Sequence, residues 1–251
     1  MSHHIVEAKD LRHVYADGTV ALNGVTFRIT HGESVGIIGA NGAGKSTLLQ
    51  HLNGYLRPSG GEVRIGEIPV VKETLQEIRH TVGMVFQDPD DQLFMSTVFD
   101  DVAFGPLNLG LPLPEVDQRV AAALTRVGAL HLKDKPPYHL SGGEKKRVAI
   151  ATVLSMMPSI LVMDEPTNGL DPFARRQLIS ILHDFSHTRI IASHDLDMVV
   201  DVCDRVIVLF EGRVVADGAP GDIFSKRDEL ARWRLERPLA MQGCPVCGHA
   251  S

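Results

Sequence analysis

Three short stretches of the chain carry residue types whose spacing suits chemistry on a phosphate. "GANGAGKS", Gly39 to Ser46, has the G-x-x-x-x-G-K-[ST] pattern, with the apolar run "SVGII" before it and "TLLQHL" after it. Glycines at 39, 42 and 44 let backbone amides converge on an anion at a helix start, Lys45 adds a point charge, and the Ser46 hydroxyl can ligate Mg2+. Asn41, Ala43 and Thr47 complete this cradle. "ILVMDEP" ends an apolar run in two adjacent carboxylates. Asp164 can stay ionised against a metal ion while Glu165 orients or deprotonates a water. "LSGGEKKR" opens on Ser141 and Glu144 at capping-box spacing. Gly142 and Gly143 would each cost the following helix up to about 1 kcal/mol against alanine, which a cap alone does not require. Bare amides at the positive end of a helix dipole point to a second anion site.

The elements that must hold these stretches alternate. From Ile5 to Gly66, Val- and Ile-rich runs separated by "ADGT", "THGE" and "RPSGGE" read as strands joined by tight turns, interrupted by a helix from Lys45 to Asn53. "TVGMVFQ" reads as a buried strand, while Thr97 to Leu107 and Pro114 to Val127 have helical spacing. After "SGGE" the spacing predicts a helix to Met156, the buried strand "ILVMD", a helix from Pro172, the strand "RIIAS", a short helix, and the strands "RVIVLF" and "GRVVADG". That order argues for an α/β protein with a mostly parallel sheet. "KRDELARWRLERP" reads as a charged helix docked through Trp233, followed by a tail.

The totals exclude other classes. The 251 residues are 44% hydrophobic, enough for one large domain or a domain with a subdomain, and 25 Lys and Arg against 31 Asp and Glu leave a net charge of -6. Nothing in that balance favours nucleic acid. The longest apolar runs are shorter than the roughly 18 residues needed to span a bilayer, so a membrane role requires a partner chain. Three cysteines form no disulfide framework and the N-terminus lacks a secretory pattern, so a reducing cytoplasm is expected.

"GANGAGKST", Gln87, "LSGGE", "ILVMDEP", "NGLD" and His194 occur in an order that resembles the ATP-binding cassette (ABC) family, over about Ile5 to Phe224. The resemblance implies a P-loop ATPase fold over 1–224, with an antiparallel β subdomain, a helical subdomain at about 88–158, and a C-terminal helix and flexible tail at 225–251. It implies ATP and Mg2+ as ligands, Ser46, Gln87 and Asp164 as metal donors, and Glu165, His194 and Gln87 as catalytic residues. Tyr15 in "HVYADG" matches the ring that stacks on adenine, although an isolated tyrosine is more often core; His194 matches the histidine at the γ-phosphate, although it can also simply start a helix. Two subunits pack head to tail in this family. Ser141, Gly142, Gly143 and Glu144 would therefore act on the ATP of a second subunit, either a second copy, which is the favoured case, or a homologous chain, and Asp171 would reach across the dimer. The signature has Glu144 where glutamine is commoner, and Asn168-Gly169 stand where Ser-Ala is frequent.

"DPDDQLF" followed by "DVAFGP" resembles the ATPases of energy-coupling factor (ECF) importers, with cobalt or nickel as the favoured cargo. The implied assembly is peripheral on the cytoplasmic face of the cell membrane, with an integral-membrane subunit docking near Gln87 to Phe104 and a substrate-binding membrane subunit. Leu93, Phe94, Phe99 and Phe104 would line the groove for a partner helix, with at least half of them serving as core. Importers of vitamins, amino acids or phosphate, and a non-transport ATP switch, are the alternatives. Asp88, Asp90 and Asp91 receive no role. Cys244, Cys247 and His249 in the tail offer soft donors but are one short of a closed tetrahedral site.

Overall fold

Alternating apolar and polar residues build the first strands. β1 (His4–Val14) pairs antiparallel with β2 (Val20–Thr30), burying Val6, Ala8 and Leu11 against Leu22, Val25, Phe27 and Ile29. β3 (Ser34–Ile38) is buried along all five residues, as a central parallel strand must be. It runs towards α1 (Lys45–Leu52), and β4 (Gly60–Ile65) then pairs with β1 and with the short β5 (Ile68–Pro69). The chain continues through α2 (Leu75–Thr81), β6 (Val82–Val85), α3 (Val98–Asn108), α4 (Leu113–Arg126), α5 (Gly142–Leu154), β7 (Ile160–Asp164) and α6 (Pro172–His183). It ends with β8 (Thr188–Ala192), α7 (Leu196–Val202), β9 (Arg205–Phe210), β10 (Arg213–Gly218), α8 (Pro220–Ser225) and α9 (Arg227–Arg232). The structure is a computed structural model that describes residues 4–242. The described residues form two compact units, one within Met1–Ile78 and Thr188–Ser251 and one of Arg79–His187.

The first unit holds an antiparallel sheet, β2-β1-β4-β5, and the strands β10-β9-β3-β8, in which β3 runs parallel to both β8 and β9. Ile37 pairs with Ala192, so the segment at Gly39 and the segment at Ser193 leave the same carboxyl edge, where parallel sheets place ligands. Arg205 fastens the far side: its Nε and Nη2 donate to Asp217 at 2.6 and 2.7 Å, and its Nη1 donates to Glu33 at 3.2 Å.

In the second unit β6 and β7 run parallel with Val85 opposite Met163, which brings Phe86-Gln87 and Asp164-Glu165 out of neighbouring strands side by side. Pro106 inside α3 has no N–H for the carbonyl of Val102 one turn back. Ser155 after α5 supplies the missing donor, its Oγ lying 2.8 Å from that oxygen, so a defect in one helix becomes a tie to another. α4 stops at Gly128, with Ala129 N–H donating to Leu124 and Gly128 N–H to Thr125 at 2.8 and 3.0 Å.

α2 and α8 are helices that the spacing does not announce, and the expected helices and strands form within a residue or two of their predicted limits with one exception. The charged helix of 226–238 is only the six residues of α9. Arg234 adopts φ +59, and Leu235 N–H closes on the Leu230 carbonyl at 2.8 Å, a stop usually built on glycine that the composition does not announce. Cys244, Cys247 and His249 lie outside the described residues.

Candidate nucleotide site

The phosphate loop is set by its main chain. Gly44 caps α1 at φ +103, where a Cβ would stand 2.6 Å from the Ala21 carbonyl oxygen, so only glycine fits. The buried Lys45 lays its ammonium over the loop, donating to the carbonyls of Gly39 at 2.9 Å and Ala40 at 3.4 Å. Ser46 follows, half-buried, and Asn41 and Gly42 are exposed at the rim. Thr47 is buried and its Oγ1 lies 2.9 Å from the Tyr15 hydroxyl, so the structure brings Tyr15 to the loop although 32 residues separate them from each other. Tyr15 as a residue is 40% exposed. His194 is exposed just past β8, ahead of Asp195, which caps α7 by accepting from Met198 N–H at 3.0 Å.

Beneath Tyr15 lies a pair of imidazoles with no pattern in the sequence. The His13 ring packs edge-on against Tyr15 at 4.7 Å and against His51 at 4.8 Å. His51 Nδ1 lies 2.6 Å from the Thr47 carbonyl, which can only accept, so that nitrogen carries a proton. In the neutral ring its Nε2 must then accept from His13 Nδ1, 3.2 Å away. Burial holds His51 below the ordinary histidine value, outweighing the Thr47 carbonyl, which favours the charged form; the charge of His13 adds to the lowering. The signal that could have revealed this pair is a histidine four residues after Thr47, on the same face of α1.

The second unit carries the carboxylates and the signature. Asp164, 3% exposed, ends β7, and Glu165 follows it, buried, at φ +46. A left-handed glutamate costs about 1–3 kcal/mol and such outliers gather at functional sites. Gln87 is exposed beyond β6. Ser141 and Glu144 form the full capping box on α5: Ser141 N–H and Oγ each reach Glu144 Oε2 at 2.8 Å, and Glu144 N–H donates to Ser141 Oγ at 3.4 Å. These bonds from Ser141 hold the Glu144 carboxyl below its ordinary range. Gly142 is exposed and Gly143 half-buried at the open end of the helix. The Asp171 carboxylate caps α6, accepting from Phe173 N–H and Ala174 N–H at 2.8 Å each.

The run of carboxylates after Gln87 has partners. Asp88 accepts from Asp90 N–H at 2.9 Å, turning the chain, and Asp90 meets Lys145 of α5 at 2.6 Å. Of the candidate docking residues Leu93 is core and Phe99 half-buried, whereas Phe94 is 64% exposed with its ring 5.1 Å from the exposed Phe104. The buried Asp101 carboxylate shapes that loop by accepting from Phe94 N–H and Met95 N–H at 3.0 Å each, and burial raises its pKa above the ordinary carboxylate value.

The ABC transporter family profile matches residues 22–168. The chain belongs to the ABC transporter family. An ABC transporter ATP-binding protein of Geobacter sulfurreducens is 72% identical over 248 residues, 99% of this chain and 100% of that one. The energy-coupling factor transporter ATP-binding protein EcfA of Methanocaldococcus jannaschii is 50% identical over 240 residues, 94% of this chain and 86% of the relative. The solved structure of cbiO1 from Clostridium perfringens, described as part of the ABC transporter complex cbiONQ, superposes with a TM-score of 0.79 at 44% identity, covering 92% of this chain and 94% of that one. The resemblance to the ECF type therefore holds, and the protein is an ABC ATPase that binds ATP and hydrolyses it for transport. Ser46, Gln87 and Asp164 each offer an oxygen, the donor that Mg2+ prefers, so the residue types fit that ion. Among the described residues no helix is long and apolar enough to cross a membrane.

Proposed function

We propose that this ABC ATPase is the energy-coupling subunit of an ECF-type import complex for a transition metal ion, cobalt or nickel, peripheral on the cytoplasmic face of the membrane. The single observation that carries the reading is the stretch from Asp88 to Gly110, in a chain similar over 94% of its length to EcfA and over 92% to cbiO1. An importer of a vitamin, amino acid or phosphate would use the same motor.

In this reading the Tyr15 ring stacks on adenine, and the amides of Gly39 to Thr47 with the Lys45 ammonium hold the phosphates. Lys45 exchanges two loop carbonyls for phosphate oxygens, a stronger charge-assisted pairing. Ser46, Gln87 and Asp164 would hold Mg2+, which neutralises charge building on the phosphate oxygens. Glu165 takes the proton of the attacking water, and His194 donates to the γ-phosphate. Ser141 to Glu144 offer amides and a hydroxyl to the nucleotide of a second copy, and Asp171 borders that interface. ATP then favours the closed pair, and its hydrolysis releases it. Phe94 and Phe104 offer a partner helix of the membrane subunit an apolar anchor, and a substrate-binding membrane subunit completes the complex.

Purification of the native complex tests the whole reading. An integral-membrane partner and a substrate-capturing subunit should accompany this chain, and uptake of labelled cobalt or nickel should require ATP. Recovery with a two-cassette or nucleic-acid assembly would overturn it. Phe94→Glu should abolish assembly with the membrane partner while the purified chain stays folded; intact assembly would remove Phe94 from the docking surface.

A further inference from the structure

Lys146 stands in the helix that presents the signature, yet it is only 2% exposed. Buried lysines are rare unless paired. Its ammonium donates to the Gln87 carbonyl at 2.8 Å and to the Phe86 carbonyl at 3.4 Å. Burial works against its charge, and the carboxylates of Asp164, Asp88 and Glu165 work for it. Its neighbour Lys145 bonds Asp90 at 2.6 Å. A third link runs the other way: the Gln92 amide donates to the Ala149 carbonyl at 2.7 Å and to Thr152 Oγ1 at 2.6 Å while its oxygen accepts from Phe86 N–H at 3.2 Å. Residues 86–92 are thus joined to α5 at both ends and in the middle, all within one compact unit.

Resting on the ATPase reading above, we propose that Lys146 is a positioning residue for hydrolysis: with Lys145 and Gln92 it brackets residues 86–92 to α5, so that Gln87 and the Ser141–Glu144 end of the helix move as one piece. Gln87 reports the nucleotide of its own subunit and Ser141 meets that of the second copy. A rigid bracket between them makes the state of one nucleotide felt at the other without any residue touching both. A helix cap needs no such device, and Lys146 places its charge on the carbonyl of Gln87, one of the residues that face the nucleotide in this reading.

The test is steady-state ATP hydrolysis by the full chain. Lys146→Met keeps the aliphatic stem and removes the donation. It should lower kcat by about tenfold to a hundredfold, as small displacements of catalytic groups do, while KM for ATP stays within about twofold because phosphate-loop contacts are untouched. Asp90→Lys and Lys145→Asp, on the surface, should each slow kcat about threefold, and the double exchange should restore it, since an exposed pair is worth little beyond its geometry. A folded Lys146→Met variant with parental kcat, or exchanges whose losses add instead of cancelling, would overturn the bracket. If Lys146→Met does not fold, the exchanges alone decide. Glu165→Gln run in parallel separates the two levels: parental turnover there sinks the ATPase reading itself, whereas a slow Glu165→Gln beside a parental Lys146→Met sinks only the bracket.

Discussion

The two units of this protein hold their chemistry by opposite means. Around the phosphate loop the main chain does the holding: a glycine at φ +103, a lysine bonded to carbonyls of its own loop, and a strand buried along its whole length. Around the signature and Gln87 side chains do it: a reciprocal Ser141–Glu144 cap, the Lys145–Asp90 pair, the buried Lys146 and Gln92. A site made of backbone has one shape, set by the fold. A site hung on side-chain bonds is tied to the segments that carry those bonds and moves with them, which suits the part of a motor proposed here to report a change.

That contrast can be broken in four ways. The largest effect belongs to Glu165→Gln, which should reduce turnover by about 10²- to 10⁴-fold, the usual worth of a general base, with ATP still bound and the closed pair accumulating on a sizing column. Gly44→Ala should follow. Its Cβ meets the Ala21 carbonyl in a conformation that costs an L-residue about 1–3 kcal/mol, so ATP affinity measured by calorimetry should fall at least about tenfold. Unchanged affinity would mean that the loop is not set by its main chain. Ser141→Ala, in the side-chain unit, should cost only about 1 kcal/mol of stability in urea unfolding, with a larger proportional loss of turnover.

The smallest effect is on pH dependence. His51 is held below its ordinary value of 6.5, so the folded unit resists a proton that the unfolded chain accepts. Its contribution to stability is present above that value and is lost as the pH falls through it, levelling off below the folded value. The melting temperature should therefore drop on acidification from about pH 7.5 to 5.5, and less so in His51→Gln. An equal drop in both would place the titration elsewhere.

What the sequence shows and what it hides follow the same division. The phosphate loop, the Asp164-Glu165 pair and "LSGGE" are legible because a ligand of fixed shape demands fixed residue types at short spacing. The alternation of strands and helices is legible because β3 and β7 are buried on both faces and must be continuously apolar. The bracket is not: Lys145 and Asp90 are 55 residues apart, and Gln92 and Thr152 are 60 apart. The one local clue is that Lys146 sits three and four residues before the buried Ala149 and Ile150, a charge on an otherwise apolar stripe. The His13–His51 pair, 38 residues apart, escapes for the same reason. The charged run at 226–238 predicts a longer helix than α9 because a left-handed arginine does not look like a stop.

Glu165, finally, has a bearing on how this protein can be engineered. Asparagine and glycine adopt its backbone conformation with less strain than glutamate does. A screen that rewards heat resistance alone therefore has an open route through the position proposed here as the general base. Libraries selected for robustness should hold residue 165 fixed, or score turnover alongside survival.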